Sequence, residues 1–278
     1  MAQQEGSSSS ALQGGNLHHP SWPERWSHPE FTGPPRDLRK CWVKQPWYKH
    51  NTRPSVMFIK RLSCLPWGFV IYRTVYTAES DPLWSACLAK IDRYVHWSIG
   101  DIDEDEYPNS DRFPEKFVQE TYKNVIFEDR ERWDGASLEQ IRADFKQYSE
   151  FLGMEDESHI PWSKACLVID QQCLNSIVSA FEDPEESANW GGPQRGFVIE
   201  KGGYIMLKPF VVMVDPTFKP GESYDTPGYQ GYMRVEIDDI WEAAVELRLS
   251  TVEEMCPNVA PAEMIPVYNG GSGYLVNV

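Results

Sequence analysis

Apolar and polar positions follow a recurring grammar along most of this chain. The segment Gly68–Tyr76, GFVIYRTVY, is β-branched and aromatic throughout, as a pleated surface requires. Asp81 then precedes Pro82, a capping residue followed by one suited to a first helical turn. Leu83, Trp84, Cys87, Leu88, Ile91, Tyr94 and Val95 recur at helical spacing, with Ser85, Lys90, Asp92 and Arg93 opposite. The pattern predicts a strand followed by a capped amphipathic helix, and it repeats. Asn124–Asp129, NVIFED, reads as a second strand. Ser137 and Gln140 form a capping box ahead of the stripe Leu138, Ile141, Phe145, Tyr148 and Leu152, which Gly153 closes. Ala165–Asp170, ACLVID, leads as a third strand into Cys173, Leu174, Ile177, Val178 and Phe181, stopped by Pro184.

Beyond that point helices become scarce. Gly196–Gly202 and Tyr204–Asp215 read as strands about a Gly202-Gly203 pivot, and Met233–Leu247 as a strand running into a helix. The last eleven residues, YNGGSGYLVNV, read as loose. The helix-poor run from Gly196 to Met233 implies antiparallel neighbours. Polar positions inside the strands (Arg73, Glu200, Lys208) suggest a sheet covered on one face. The expected class is therefore α+β: a two-layer sandwich with a mixed, largely antiparallel sheet and helices on one face, a three-layer α/β sheet being the alternative.

The N-terminal part obeys different rules. Residues 1–16 are mostly Ser, Gly and Gln and offer nothing to bury, which predicts a disordered tail. From His18 to Trp67 prolines interrupt regular elements, while Trp22, Trp26, Trp42, Trp47 and Trp67 are too apolar to line a solvated linker. Charge divides at the same place. Residues 1–67 hold nine Lys and Arg against four acids, or +5, whereas the remainder is −21. The expected organisation is a tail over 1–16, a basic Pro/Trp-rich arm packed on the body over 17–67, an α+β domain over 68–250 and a C-terminal extension over 251–278. An exposed partner-binding arm is the alternative.

A net charge of −16 disfavours nucleic-acid partners and anionic membranes. No apolar run is long enough to span a bilayer. The N-terminus lacks the basic and apolar regions of a secretory signal. None of the six cysteines forms a C-x-x-C, so reduced and mostly buried thiols are expected, in the cytosol or the nucleus.

GFVIYRTVYTAESDPLW, VIFEDRERWDGASLEQIRADF and GYMRVEIDDIW together resemble a group of uncharacterised filamentous-fungal proteins. These share a G-[FY]-x-I-Y-R-T strand, an E-D-R-x-x-x-[DE]-G-A-S loop and a late G-[WY]-M-[KR]-V segment ending in tryptophan. The resemblance covers roughly Gly68 to Leu247. It implies a fungal, intracellular origin and brings no catalytic residues with it.

Candidate chemistry gathers at strand ends. Glu128, Asp129 and Arg130 stand where a strand meets a loop, so their carboxylates could serve as general acid or base if burial shifted them. Ion pairing at the sheet rim explains the same residues. Asp170 is a second strand-end carboxylate, equally placed to cap the helix carrying Cys173. Tyr72, Arg73 and Tyr76 on the first strand could line a ligand groove. Strict alternation puts the two tyrosines on one side and Arg73 on the other. His159 is the histidine nearest a strand end and a conceivable partner for Cys166. The acidic run Asp101–Glu106 begins like a calcium loop but has Glu106 where glycine belongs and Arg112 where glutamate belongs. No metal site and no cofactor are expected, and nucleotide and serine-hydrolase signatures are absent. The chain reads as an intracellular module binding a protein or small molecule without catalysis. A cofactor-independent hydrolase, isomerase or cyclase of secondary metabolism is the alternative.

Overall fold

The computed structural model describes residues 36–62, 65–102, 107, 111–151, 161–189, 197–200, 203–206, 208–222, 225–226, 228–257, 264–268 and 274–277. Within these, the segment with the most prolines is helical but in short pieces: α1 (Arg36–Trp42), a 3-10 turn (Pro46–Lys49) and α2 (Pro54–Arg61), the last two with proline in the first turn. Then follow β1 (Val70–Arg73), α3 (Trp84–Gly100), α4 (Phe113–Thr121), β2 (Val125–Phe127), α5 (Arg130–Trp133), α6 (Leu138–Phe151), α7 (Pro161–Lys164), β3 (Cys166–Ile169), α8 (Gln171–Val178) and α9 (Pro184–Asn189). The second half adds β4 (Phe197–Glu200), β5 (Gly203–Met206), β6 (Phe210–Val214), β7 (Tyr232–Glu236), α10 (Ile240–Glu246), α11 (Val252–Met255), β8 (Met264–Tyr268) and β9 (Tyr274–Asn277).

One mixed sheet runs in the order β2-β1-β3-β6-β7-β8-β9, and β4 and β5 form a separate hairpin. The class is α+β. Pairings β1–β2, β1–β3 and β7–β8 are parallel, and β3–β6, β6–β7 and β8–β9 are antiparallel. The final residues are thus not loose: Val267 pairs with Tyr274 and Ile265 with Val276 across the glycine-rich stretch. The run Tyr204–Asp215 is also divided, its first part in the hairpin and its second in the main sheet.

Handedness explains the helical cover. The chain crosses from β1 to β2 in one direction through α3 and α4, then back over β1 to β3 through α5, α6 and α7. Right-handed crossovers taken in opposite directions land on opposite faces. Arg73 accordingly stacks on Trp84 of α3, while its neighbour Tyr72 donates to Asp144 of α6 at 2.7 Å. Neither face is open: α6 covers the Tyr72 side, and α3, grouped with α2, α8 and α10, covers the Arg73 side. β1, β3 and β6 are buried at every position as a result. Arg73 itself is only 7% exposed.

Trp42, Trp47, Val56, Phe58 and Ile59 are continuous with the core around the sheet. Gly68 marks the closest approach between this segment and β2. A Cβ there would lie 2.3 Å from the Lys123 carbonyl oxygen, so only glycine lets Trp67 pair with the chain entering β2. Within α3 one expectation fails. Lys90 is buried, its ammonium donating to the carbonyls of Val178 and Ala180 at 3.0 and 2.8 Å and so tying α3 to the end of α8.

Candidate functional site

The loops that follow the parallel strands β1 and β2 meet at the carboxyl edge of the sheet, where loops set on a rigid scaffold commonly carry working residues. The loop after β1 contributes Thr74–Asp81 and the loop after β2 contributes Glu128–Asp134. Gly135 N–H donates to the Thr74 carbonyl at 3.0 Å and holds the two loops together.

Arg73 anchors this place. Its Nε donates to the Val75 carbonyl at 2.8 Å, and its guanidinium stands 4.3 Å from the centre of the Tyr76 ring and 5.0 Å from that of Trp84. A terminal nitrogen also bonds Oδ1 of Asp81. Oδ2 of the same carboxylate accepts from Arg130 at 2.6 Å, and the Arg130 guanidinium lies 5.5 Å from the Tyr76 ring. Two arginines therefore clamp one carboxylate on an aromatic floor. Desolvation would raise the Asp81 pKa, but the hydrogen bonds from Arg130 and Arg73 hold it below the usual carboxylate range. Trp84 Nε1 donates to Oε2 of Glu128 at 2.6 Å and brings that exposed carboxylate to the rim. Burial raises the Tyr76 hydroxyl above its ordinary range, Arg73 opposing, with Glu128, Asp129 and Asp134 adding to the rise.

The structure thus brings Arg73, Tyr76, Glu128 and Arg130 together. It adds Asp81 and Trp84, which local sequence signals read as a helix cap and a core position. Asp81 makes no cap hydrogen bond, because α3 begins three residues later and the carboxylate meets arginines from two loops. Asp129 is half-buried and opens α5, its carbonyl accepting from Arg132 and Trp133 at 3.2 and 2.8 Å. Asp170 caps α8, accepting from Cys173 N–H at 2.8 Å, a contact worth about 1 kcal/mol.

Tyr72 does not share a side with Tyr76. It is fully buried, bonded to Asp144 and packed edge-on against Phe127 and Trp133 at 4.9 and 5.1 Å. The pleat ends at Arg73, so alternation does not reach residue 76, and Arg73 and Tyr76 stack instead of diverging. His159 lies outside the described residues. Burial pushes the Cys166 and Cys173 thiols well above their usual range, so both are packing groups.

A second charged group escaped the sequence patterns. β7 runs parallel to β1, β2 and β3, so Glu236, Asp238 and Asp239 emerge at the same edge of the sheet. One oxygen from each lies within 4.8 Å of the others. Such a trio could hold a cation, and Lys208 supplies one, 2.9 Å from Glu236 and 3.2 Å from Asp238. Burial disfavours the Lys208 charge, but Asp238 and Glu236 hold the ammonium above its ordinary range. One ammonium cannot balance three carboxylates. Burial, followed by Asp238, Glu236 and Glu242, pushes Asp239 up to about 8 from an ordinary 3.8, with Lys208 opposing. A carboxyl raised on folding stabilises the fold while it keeps its proton. That contribution is complete below about pH 4 and disappears as pH rises through about 8. Asp239→Asn is expected to change stability little near pH 4 and to raise it near pH 9 by on the order of 2 kcal/mol, read from denaturant midpoints. Equal midpoint differences at both pH values would contradict this.

Comparison with family models, curated proteins and solved structures finds no match to this chain.

Proposed function

We infer that the chain is a non-enzymatic binding module that holds a small-molecule or protein ligand at the carboxyl edge of β1 and β2. The supporting observation is the clamp itself. Asp81 is held at both oxygens by Arg73 and Arg130, and the guanidiniums rest on Tyr76 and Trp84. Held on this buried aromatic and guanidinium support, the exposed Asp81 and Arg130 present charge at fixed positions, which is what recognition needs. General acid–base catalysis needs a group free to exchange its proton near neutral pH, and Asp81 is held ionised. Glu128, Asp129 and the exposed Arg130 provide the outward-facing contacts. No described helix is long and apolar enough to cross a membrane. The reduced cysteines suit an intracellular setting, and the sequence resemblance points to a filamentous fungus.

A cofactor-independent enzyme is the second reading. Asp239 favours it, because a carboxyl pushed up to about 8 beside Lys208 is matched to proton transfer.

Native mass spectrometry of the chain after incubation with a small-metabolite extract tests the binding site. A retained adduct on the wild type that is missing from Arg130→Ala is the expected result. An adduct equally retained by Arg130→Ala would place the ligand elsewhere.

A further inference from the structure

The most basic part of this acidic protein is folded, not a tail. Residues 38–61 contain seven Lys and Arg and no acid, so the other residues, with 19 bases and 42 acids, carry −23. Arg53 is consumed internally by its ion pair with Glu115, but Lys44, Lys49 and Arg61 are exposed. No described carboxylate pairs with any of these three. Apolar side chains protrude among them. Val43, which follows the buried Trp42, is 57% exposed, and Phe113, whose ring lies 6.3 Å from that of Trp42, is 38% exposed. α4 adds the exposed Lys116 one turn beyond Phe113, against the exposed Asp111 and Glu120. Exposed cations and exposed apolar groups thus share one segment, a mixed surface that Trp42, Trp47 and Phe58 join to the core.

We propose that this surface docks an acidic peptide segment of a partner protein, with apolar side chains seated on Val43 and Phe113. Charge complementarity gives the sign of the partner, and the exposed apolar pair calls for more than charge. Extent decides among anionic partners. A long nucleic acid or an anionic membrane would pass beyond the patch and meet the −23 of the remaining chain, whereas a short acidic segment ends within it. The surface is separate from the strand-edge clamp, so its failure leaves the reading of that site intact.

Fluorescence anisotropy of a fluorescein-labelled glutamate–leucine peptide, titrated with the full chain at low salt, provides the test. The expected result is saturable binding that weakens as salt rises. It should weaken roughly tenfold or more in Lys44→Glu/Lys49→Glu/Arg61→Glu, and measurably in Val43→Ser. Circular dichroism and thermal midpoint should match the wild type, because these side chains are exposed. If the triple charge reversal fails to fold, Lys44→Gln/Lys49→Gln takes its place with a smaller loss in the same direction. No peptide binding at low salt, or binding unaffected by these variants, overturns the proposal. Tighter binding of a labelled oligothymidylate also overturns it, because the partner would then be a nucleic acid.

Discussion

Replacing Glu115 by alanine is expected to destabilise the protein by about 3–5 kcal/mol, the cost of leaving a buried guanidinium without its counter-charge. Arg53 is fully buried and Glu115 is 3% exposed. One carboxylate oxygen accepts from Arg53 Nε at 2.8 Å and from Ser55, and the other accepts from a terminal Arg53 nitrogen. A further Arg53 contact, to the Asp111 carbonyl at 2.9 Å, survives the substitution but cannot neutralise the charge. Removing both charged groups is a different experiment. Arg53→Met/Glu115→Leu should recover most of the loss, because well-packed apolar side chains replace a buried pair at little net cost. Guanidinium unfolding of Arg53→Met, Glu115→Leu and the double variant closes the cycle. A Glu115→Ala loss below about 1 kcal/mol would mean that Arg53 reaches water and that the segment before β1 is only loosely attached.

Trp67→Ala is the other substitution expected to cost about 3–5 kcal/mol. The indole is fully buried where three parts of the fold meet. Its ring lies 4.8 Å from Phe58 of α2, 4.8 Å from Tyr122 after α4 and 5.2 Å from Trp241 of α10. Nε1 donates to the Val118 carbonyl at 2.7 Å. Alanine removes the packing and leaves that carbonyl with only the longer bond from the Thr121 hydroxyl at 3.3 Å. Trp67→Phe keeps most of the ring and should lose about 1–3 kcal/mol, mainly through the hydrogen bond. Domain stabilities of about 5–15 kcal/mol make the alanine variant a candidate for unfolding near body temperature. Equal losses for phenylalanine and alanine would show that the hydrogen bond, not packing, matters at this junction.

Local devices were legible in the sequence, and long-range ones were not. The Ser137/Gln140 box forms as read, with Ser137 N–H donating to Gln140 Oε1 at 2.8 Å and Gln140 N–H to Ser137 Oγ at 3.3 Å. The Asp170 cap was equally visible, because both partners lie within three residues. β1, β2 and β3 were found because β-branched runs announce themselves, although each is shorter than its apolar run. Asp81 was misread because a cap and a salt bridge call for the same residue, and only the crossovers bring Arg73 and Arg130 to it. Lys90 looked like a solvent position until the carbonyls at the end of α8 arrived. The β8–β9 pairing was hidden because a glycine-rich composition near the chain's end reads as loose. Of the candidate site, Arg73, Tyr76, Glu128 and Arg130 were accessible as strand-end residues. The trio at Glu236, Asp238 and Asp239 was not, since only the shared direction of β7 with β1–β3 puts it on the same edge.

The binding reading stands or falls on whether a ligand leaves the protein unchanged. Purified chain incubated with an excess of mixed small metabolites, then denatured and analysed by quantitative mass spectrometry, measures this directly. The predicted result is that any compound retained by the native protein, about one equivalent per chain, is recovered intact and that no compound in the mixture is consumed. Loss of one compound in many-fold excess over protein, with a new mass appearing and the conversion abolished in Asp129→Asn or Asp239→Asn, would contradict it and make the protein an enzyme.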